Sequence, residues 1–129
     1  IIAPTEDEAW ERARQILERV EAARPPSMVL GEASNEGSRR LLDFAARSDV
    51  FDERLWMPLA SATGAAGNTT ALVGTPEQVA DALAAYSDLG VEKILIRGFD
   101  PLPDAVEFGR ELIPALRERV ASRDAANGQ

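Results

Sequence analysis

Apolar residues recur along the chain with two different periods, and the period assigns the elements. Trp10, Ala13, Ile16, Leu17 and Val20 repeat at helical spacing, which predicts a first helix after Thr5. Thr5 and Glu8 have the spacing of a capping box, Glu6 and Asp7 add negative charge at the positive helix end, and Pro25-Pro26 stops the helix. Ile1-Ile2-Ala3 reads as the end of a strand. Leu41, Leu42 and Ala45 mark one face of a second helix, with Ser34 as its cap. From Asp49 to Leu59 the pattern is irregular, and Trp56 and Met57 are expected to bury in a core. The small residues from Ala60 to Thr70, with Gly64 and Gly67 among them, predict a loop or an extended segment.

The last third is more regular. Ala71-Leu72-Val73 is a short apolar strand, Gly74 a turn, Thr75 a cap, Pro76 a first helical position, and Gln78 completes a second capping box. Val79, Leu83, Tyr86 and Leu89 form the predicted buried stripe, closed by Gly90. Val91 to Ile96 reads as a strand whose continuous Ile94-Leu95-Ile96 run suits a parallel sheet covered on both faces. Arg97 to Pro101 is the following loop. Pro103 starts a last helix faced by Leu112, Ile113 and Leu116, Pro114 should bend it, and residues 121–129 are expected to form a disordered tail.

This order is α/β, and its β-α-β-α end implies parallel strands joined by right-handed crossovers. Two or three parallel strands cannot cover both faces and both edges, and a closed barrel needs about 250 residues. Residues 1–120 therefore read as the C-terminal part of a TIM (β/α)8 barrel, helix-rich, with about two or three parallel strands and an irregular insertion at about 25–70. The first residue is Ile, so the chain is not expected to begin at an ordinary translation start.

Composition narrows the chemistry. The 129 residues are 45% apolar and 28% charged, the balance of a globular chain, with no apolar run long enough for a membrane span and no secretory signal. A cytoplasmic protein is the expectation. Lys and Arg total 14 against 22 Asp and Glu, a net charge of −8 that argues against a nucleic-acid partner. Neither Cys nor His occurs, which removes thiol nucleophiles, Cys/His zinc sites and histidine acid–base chemistry. No pair of carboxylates stands out for acid–base work. Chemistry must come from carboxylates, Arg, Lys93, a hydroxyl or a borrowed cofactor.

Four blocks in order then carry a resemblance. They are Gly64-Ala65-Ala66-Gly67 with Ala71-Leu72-Val73-Gly74-Thr75-Pro76-Glu77-Gln78-Val79-Ala80, Leu89-Gly90-Val91, Leu95-Ile96-Arg97-Gly98-Phe99-Asp100-Pro101-Leu102, and Gly109-Arg110-Glu111-Leu112-Ile113-Pro114. Together they resemble the C-terminal end of bacterial-luciferase-like flavin monooxygenases, in particular the alkanesulfonate monooxygenase branch. The opening Pro4 to Trp10 is similar to a strand-to-helix step of the same branch.

The resemblance implies reduced FMN, supplied by a separate flavin reductase, at the C-terminal face of a barrel, with O2 activated on the flavin and a small organic substrate oxidised. It implies cofactor contacts from Thr63, Gly64, Gly67, Asn68 and Thr69, and substrate contacts from Arg97 and Phe99; no residue is assigned as catalytic and none as a metal ligand. The branch usually has Arg where this chain has Thr63 and Tyr where it has Phe99, so the monooxygenase class carries further than the sulfonate. Two alternatives stand beside it: a non-catalytic fragment that self-associates through exposed strand edges, and a deazaflavin-dependent oxidoreductase. The implied partners are the N-terminal remainder of the barrel or further copies of the chain, and the chain by itself is expected to be inactive.

Overall fold

A computed structural model describes residues 1–27, 33, 35–67, 69–126 and 128. They divide into two compact units, one of residues 1–9 with 74–129 and one of residues 10–73. Helix α1, Glu6–Ala23, starts in the first and continues into the second.

In the first unit, the strand end at Ile2 forms a parallel bridge with Gly74. Ala3 N–H donates to Gly74 O at 3.3 Å, and Gly74 N–H donates to Ile1 O at 3.2 Å. Helix α4, Pro76–Asp88, follows, and both capping boxes form as the sequence predicts. Thr5 N–H donates to Glu8 Oε2 and Glu8 N–H to Thr5 Oγ1, while Thr75 N–H donates to Gln78 Oε1 and Gln78 N–H to Thr75 Oγ1. The buried stripe of α4 is Val79, Ala80, Leu83 and Ala84; Leu89, expected inside, is 81% exposed. It lies past the last helical turn. There Gly90, at φ +88°, donates to Ser87 O, and Val91 N–H donates to Tyr86 O, the paired bonds of a Schellman close.

Helix α5, Pro101–Glu107, runs through a π turn, Phe108–Leu112, into α6, Ile113–Ala126. The helix thus starts two residues before the expected Pro103 and continues through residues 121–126, where a tail was expected. The π turn has a local cause. Pro114 has no N–H, and its ring crowds the carbonyl four residues back. The chain accommodates it with an extra residue in the preceding turn, where Ile113 N–H reaches Phe108 O. Phe108 and Leu112 are buried, and α6 packs on α4, with Arg119 Nε donating to Asp81 Oδ1 at 2.6 Å and Arg123 paired with Asp88.

In the second unit α2, Glu36–Ala45, is capped by Asn35, whose Oδ1 accepts from Ser38 N–H at 2.9 Å. Ser34, the expected cap, lies outside the described residues. Strands β1, Val50–Phe51, β2, Leu55–Trp56, and β3, Ala71–Leu72, form an antiparallel sheet in that order, with Phe51 opposite Leu55 and Trp56 opposite Ala71. Trp56 and Met57 are buried, as expected. Helix α3, Pro58–Thr63, occupies the first part of the small-residue stretch that was expected to be loop throughout. Small residues tolerate a buried helix as readily as a loop, and Leu59, Ala60 and Ala62 bury one side of it.

The parallel sheet is the main correction. Ala71–Leu72 pairs antiparallel with Leu55–Trp56, a partner nearer in sequence and cheaper to reach in loop-closure entropy. Val91 to Ile96, predicted as a parallel strand, pairs with nothing among the described residues. The parallel contact is reduced to the bridge at Ile2 and Gly74. The described chain is therefore a helix-rich α/β partial structure and not a sheet closed by its own strands.

Candidate functional site

The Ile2–Gly74 bridge gives the first unit a direction. Both segments run the same way, and both pass at the same end into capped helices, α1 through Pro4-Thr5 and α4 through Thr75-Pro76. Gln78 Nε2 donates to Glu6 Oε2 at 2.9 Å and so ties the two helix starts together. In barrels of alternating strands and helices, this end of the strands carries the chemistry.

A cleft of about 440 Å³ opens there, within the size range of small-molecule sites. Its apolar wall includes Ile2, Ala3, Pro76 and Val106, and its charged wall is Glu77, Glu107, Arg110 and Glu111. Three carboxylates against one guanidinium make the cleft acidic, so a dianionic phosphate would meet net repulsion there. Sequence reading missed this site. The available signals were Glu77, directly after the β-to-α turn, and the spacing of Glu107, Arg110 and Glu111 on one helical face.

Arg97 lies at a second cavity of about 270 Å³, lined also by Ile96, Gly98, Pro101, Ala105 and Phe108. Its side chain is exposed and forms no ion pair among the described residues. Nearby, Asp104 Oδ2 accepts from Phe99 N–H at 2.7 Å and from Asp100 N–H at 3.0 Å. Phe99 is half-buried and is not among the lining residues of either cavity.

The five residues expected to touch the cofactor lie in the second unit, whereas Arg97 and Phe99 lie in the first. Thr63 Oγ1 donates to Leu59 O at 2.8 Å. Gly64, in the left-handed conformation at φ +63°, ends α3, and its N–H, like those of Ala65 and Ala66, donates to a carbonyl of that helix. The donors that an anion would need in this turn are therefore largely engaged in closing α3. Gly67, at φ +75°, leads into a half-buried Thr69, and Asn68 lies outside the described residues.

Among the described residues no cluster of acidic side chains has metal-ligand geometry, and no helix is long and apolar enough to cross a membrane. No solved structure matches the chain. The sequence model of the luciferase-like monooxygenases matches residues 1–93, which takes in both capped helix starts, the Thr63–Thr69 turn and the Ile2–Gly74 bridge but stops short of Arg97 and Phe99. With the match covering well over half of its length, the chain belongs to the luciferase-like monooxygenase family, a family of flavin-dependent TIM-barrel oxidoreductases.

Proposed function

We propose that the chain contributes the substrate side of an FMNH2-dependent monooxygenase that oxidises a small organic molecule with O2. The observation that carries this is the parallel Ile2–Gly74 bridge, from one end of which two capped helices depart over a 440 Å³ cleft. That is the local geometry of the reactive end of a (β/α) barrel; the bridge and both helix starts lie within the residues that match the family, and the helical wall of the cleft lies beyond them.

The residues present do not make up a whole FMN site. The N–H groups of Gly64, Ala65 and Ala66 are engaged in closing α3, and the cleft has three carboxylates for one cation. On this reading Thr69 and Gly67, with Asn68, supply the remaining flavin contacts, Thr63 and Gly64 shape the turn that presents them, and the rest of the cradle comes from other barrel strands. Arg97, exposed at its own cavity, would hold an anionic group of the substrate such as a sulfonate, and Phe99 would pack beside it. The flavin would arrive reduced, from a separate reductase in the same cytoplasmic compartment, and the chain would be the C-terminal part of the barrel.

The test is reconstitution. The chain is combined with a polypeptide carrying the first strands of a luciferase-like barrel, and oxygen consumption is followed with reduced FMN and with a reduced deazaflavin. Oxygen-dependent oxidation of a small sulfonate or related substrate with FMNH2 supports the reading. Activity confined to the deazaflavin, or no activity from a folded complex, overturns it.

A further inference from the structure

Ser38 is the one buried polar residue among the described residues. It lies in the first turn of α2, where Asn35 Oδ1 accepts from its N–H, and α2 packs on α3. A buried hydroxyl is costly unless it is hydrogen-bonded, and this one donates to Ala65 O at 3.3 Å. Ala65 is buried and, at φ +56°, lies in the left-handed region without being a glycine. That conformation is unfavourable for a side chain and persists only where the surroundings fix it. Ala65 N–H donates to Ala60 O at 2.8 Å, which fixes the peptide plane before its Cα. The plane after it is held by Ala66 N–H, which donates to Thr63 O at 3.3 Å, and by the Ser38 hydroxyl. The two backbone bonds run back into α3, whereas the Ser38 bond ties the turn to a second helix.

We propose that Ser38 is a positioning residue for the flavin-facing turn: its hydroxyl holds Ala65 left-handed and so sets the course of the chain into Gly67 and Thr69. This rests on the reading above, in which Gly67 and Thr69 contact the flavin. Gly64, Ala65 and Gly67 all have positive φ, so the direction of the chain after α3 depends on each of them. The two glycines adopt that conformation without steric cost. Ala65 does not, and it is the position in the turn that must be held from outside. Alanine at 38 would fill nearly the same volume and hold nothing. Contact groups fixed before a ligand arrives bind it without the cost of ordering them, which gives a buried hydroxyl outside the site a role within it.

Hydrogen exchange of the full chain reads the hold directly, at the Ala65 and Ala66 amides that donate within the turn. Ser38→Ala should speed exchange there about fivefold and leave the amides of α4 unchanged. Ala65→Gly removes the left-handed cost at its source, so in the Ser38→Ala background it should restore the lost protection. In the complex reconstituted with the first strands of the barrel, Ser38→Ala should raise the Kd for FMN by a similar factor, and adding Ala65→Gly should bring it back. A turn that Ser38→Ala leaves protected, or exchange that quickens evenly along the whole chain, would overturn the hold. A turn that loosens while the Kd for FMN stays the same would overturn the positioning role. A wild-type complex that binds no FMN would instead overturn the flavin reading on which that role rests, and the exchange result separates the two failures.

Discussion

Gln78 bonds in two directions: its Oε1 accepts from Thr75 N–H, and its Nε2 donates to Glu6 Oε2 at 2.9 Å. One side chain thus closes the cap of α4 and ties it to the start of α1. Gln78→Ala removes both bonds and should lower stability by about 1–2 kcal/mol, read as an earlier urea midpoint with an unchanged slope. Gln78→Glu keeps the cap acceptor but sets a carboxylate against Glu6. Its cost should therefore shrink as salt is added.

The turn at Gly98 and Asp104 makes a second prediction. A Cβ built on Gly98 would collide with Asp104 Oδ2, the oxygen that accepts from Phe99 and Asp100 N–H, and equally with Asp104 Cβ. Asp104→Ala removes the two bonds and should cost roughly 1–2 kcal/mol, and Gly98→Ala, which must shift the residue at 104 from its root, should cost more. Alanine at 104 keeps the Cβ, so the double variant should be no more stable than Gly98→Ala. A double variant as stable as Asp104→Ala would show that the carboxylate alone constrains Gly98.

The hairpin between β1 and β2 carries local strain. Asp52 and Glu53 both have positive φ, +47° and +66°, which side chains disfavour. Glu53→Gly relieves part of that cost and should stabilise the fold by up to about 1 kcal/mol, less whatever the added freedom of the unfolded glycine takes back. A rise in melting temperature checks it, and a fall would mean that the freedom of the unfolded glycine, or a contact of the Glu53 side chain, outweighs the strain.

Acid should act in part through α1. The Glu11 carboxyl is held below the usual range, first by the hydrogen bond from Arg14, then by that from Gln15 and by the Arg14 charge. A lowered folded-state pKa contributes stability above the unfolded carboxylate value and loses it as pH falls through the folded one. Glu11→Gln should therefore flatten the acid limb of the stability–pH curve slightly and leave neutral stability nearly unchanged. The group is fully exposed, so salt should mask the effect.

These contacts also show which parts of the molecule were legible in the sequence. Thr5 with Glu8, Thr75 with Gln78, and Gly90 specify helix ends through bonds three or four residues apart, and each formed as predicted. Strand pairing is non-local. Nothing within Val91–Ile96 says which edge it will meet, and the apolar run that predicts a buried strand lies partly on the surface. Ala60 to Thr63 lacks the periodic large residues that mark a helix, so α3 showed only in its Pro58 start and Gly64 end. The acidic cleft draws Glu77 and Glu107 from segments thirty residues apart in the chain, a juxtaposition that follows from the fold and not from spacing.

On the function proposed above, this chain holds part of a monooxygenase flavin site and not the whole of it. Fluorescence titration of FMN with the full chain tests this most directly, because bound flavin loses its emission. The account predicts no saturable quenching in the micromolar range from the chain by itself. Saturable micromolar binding, abolished by substitutions at Gly67 and Thr69, would contradict it and would place a complete flavin site within these 129 residues.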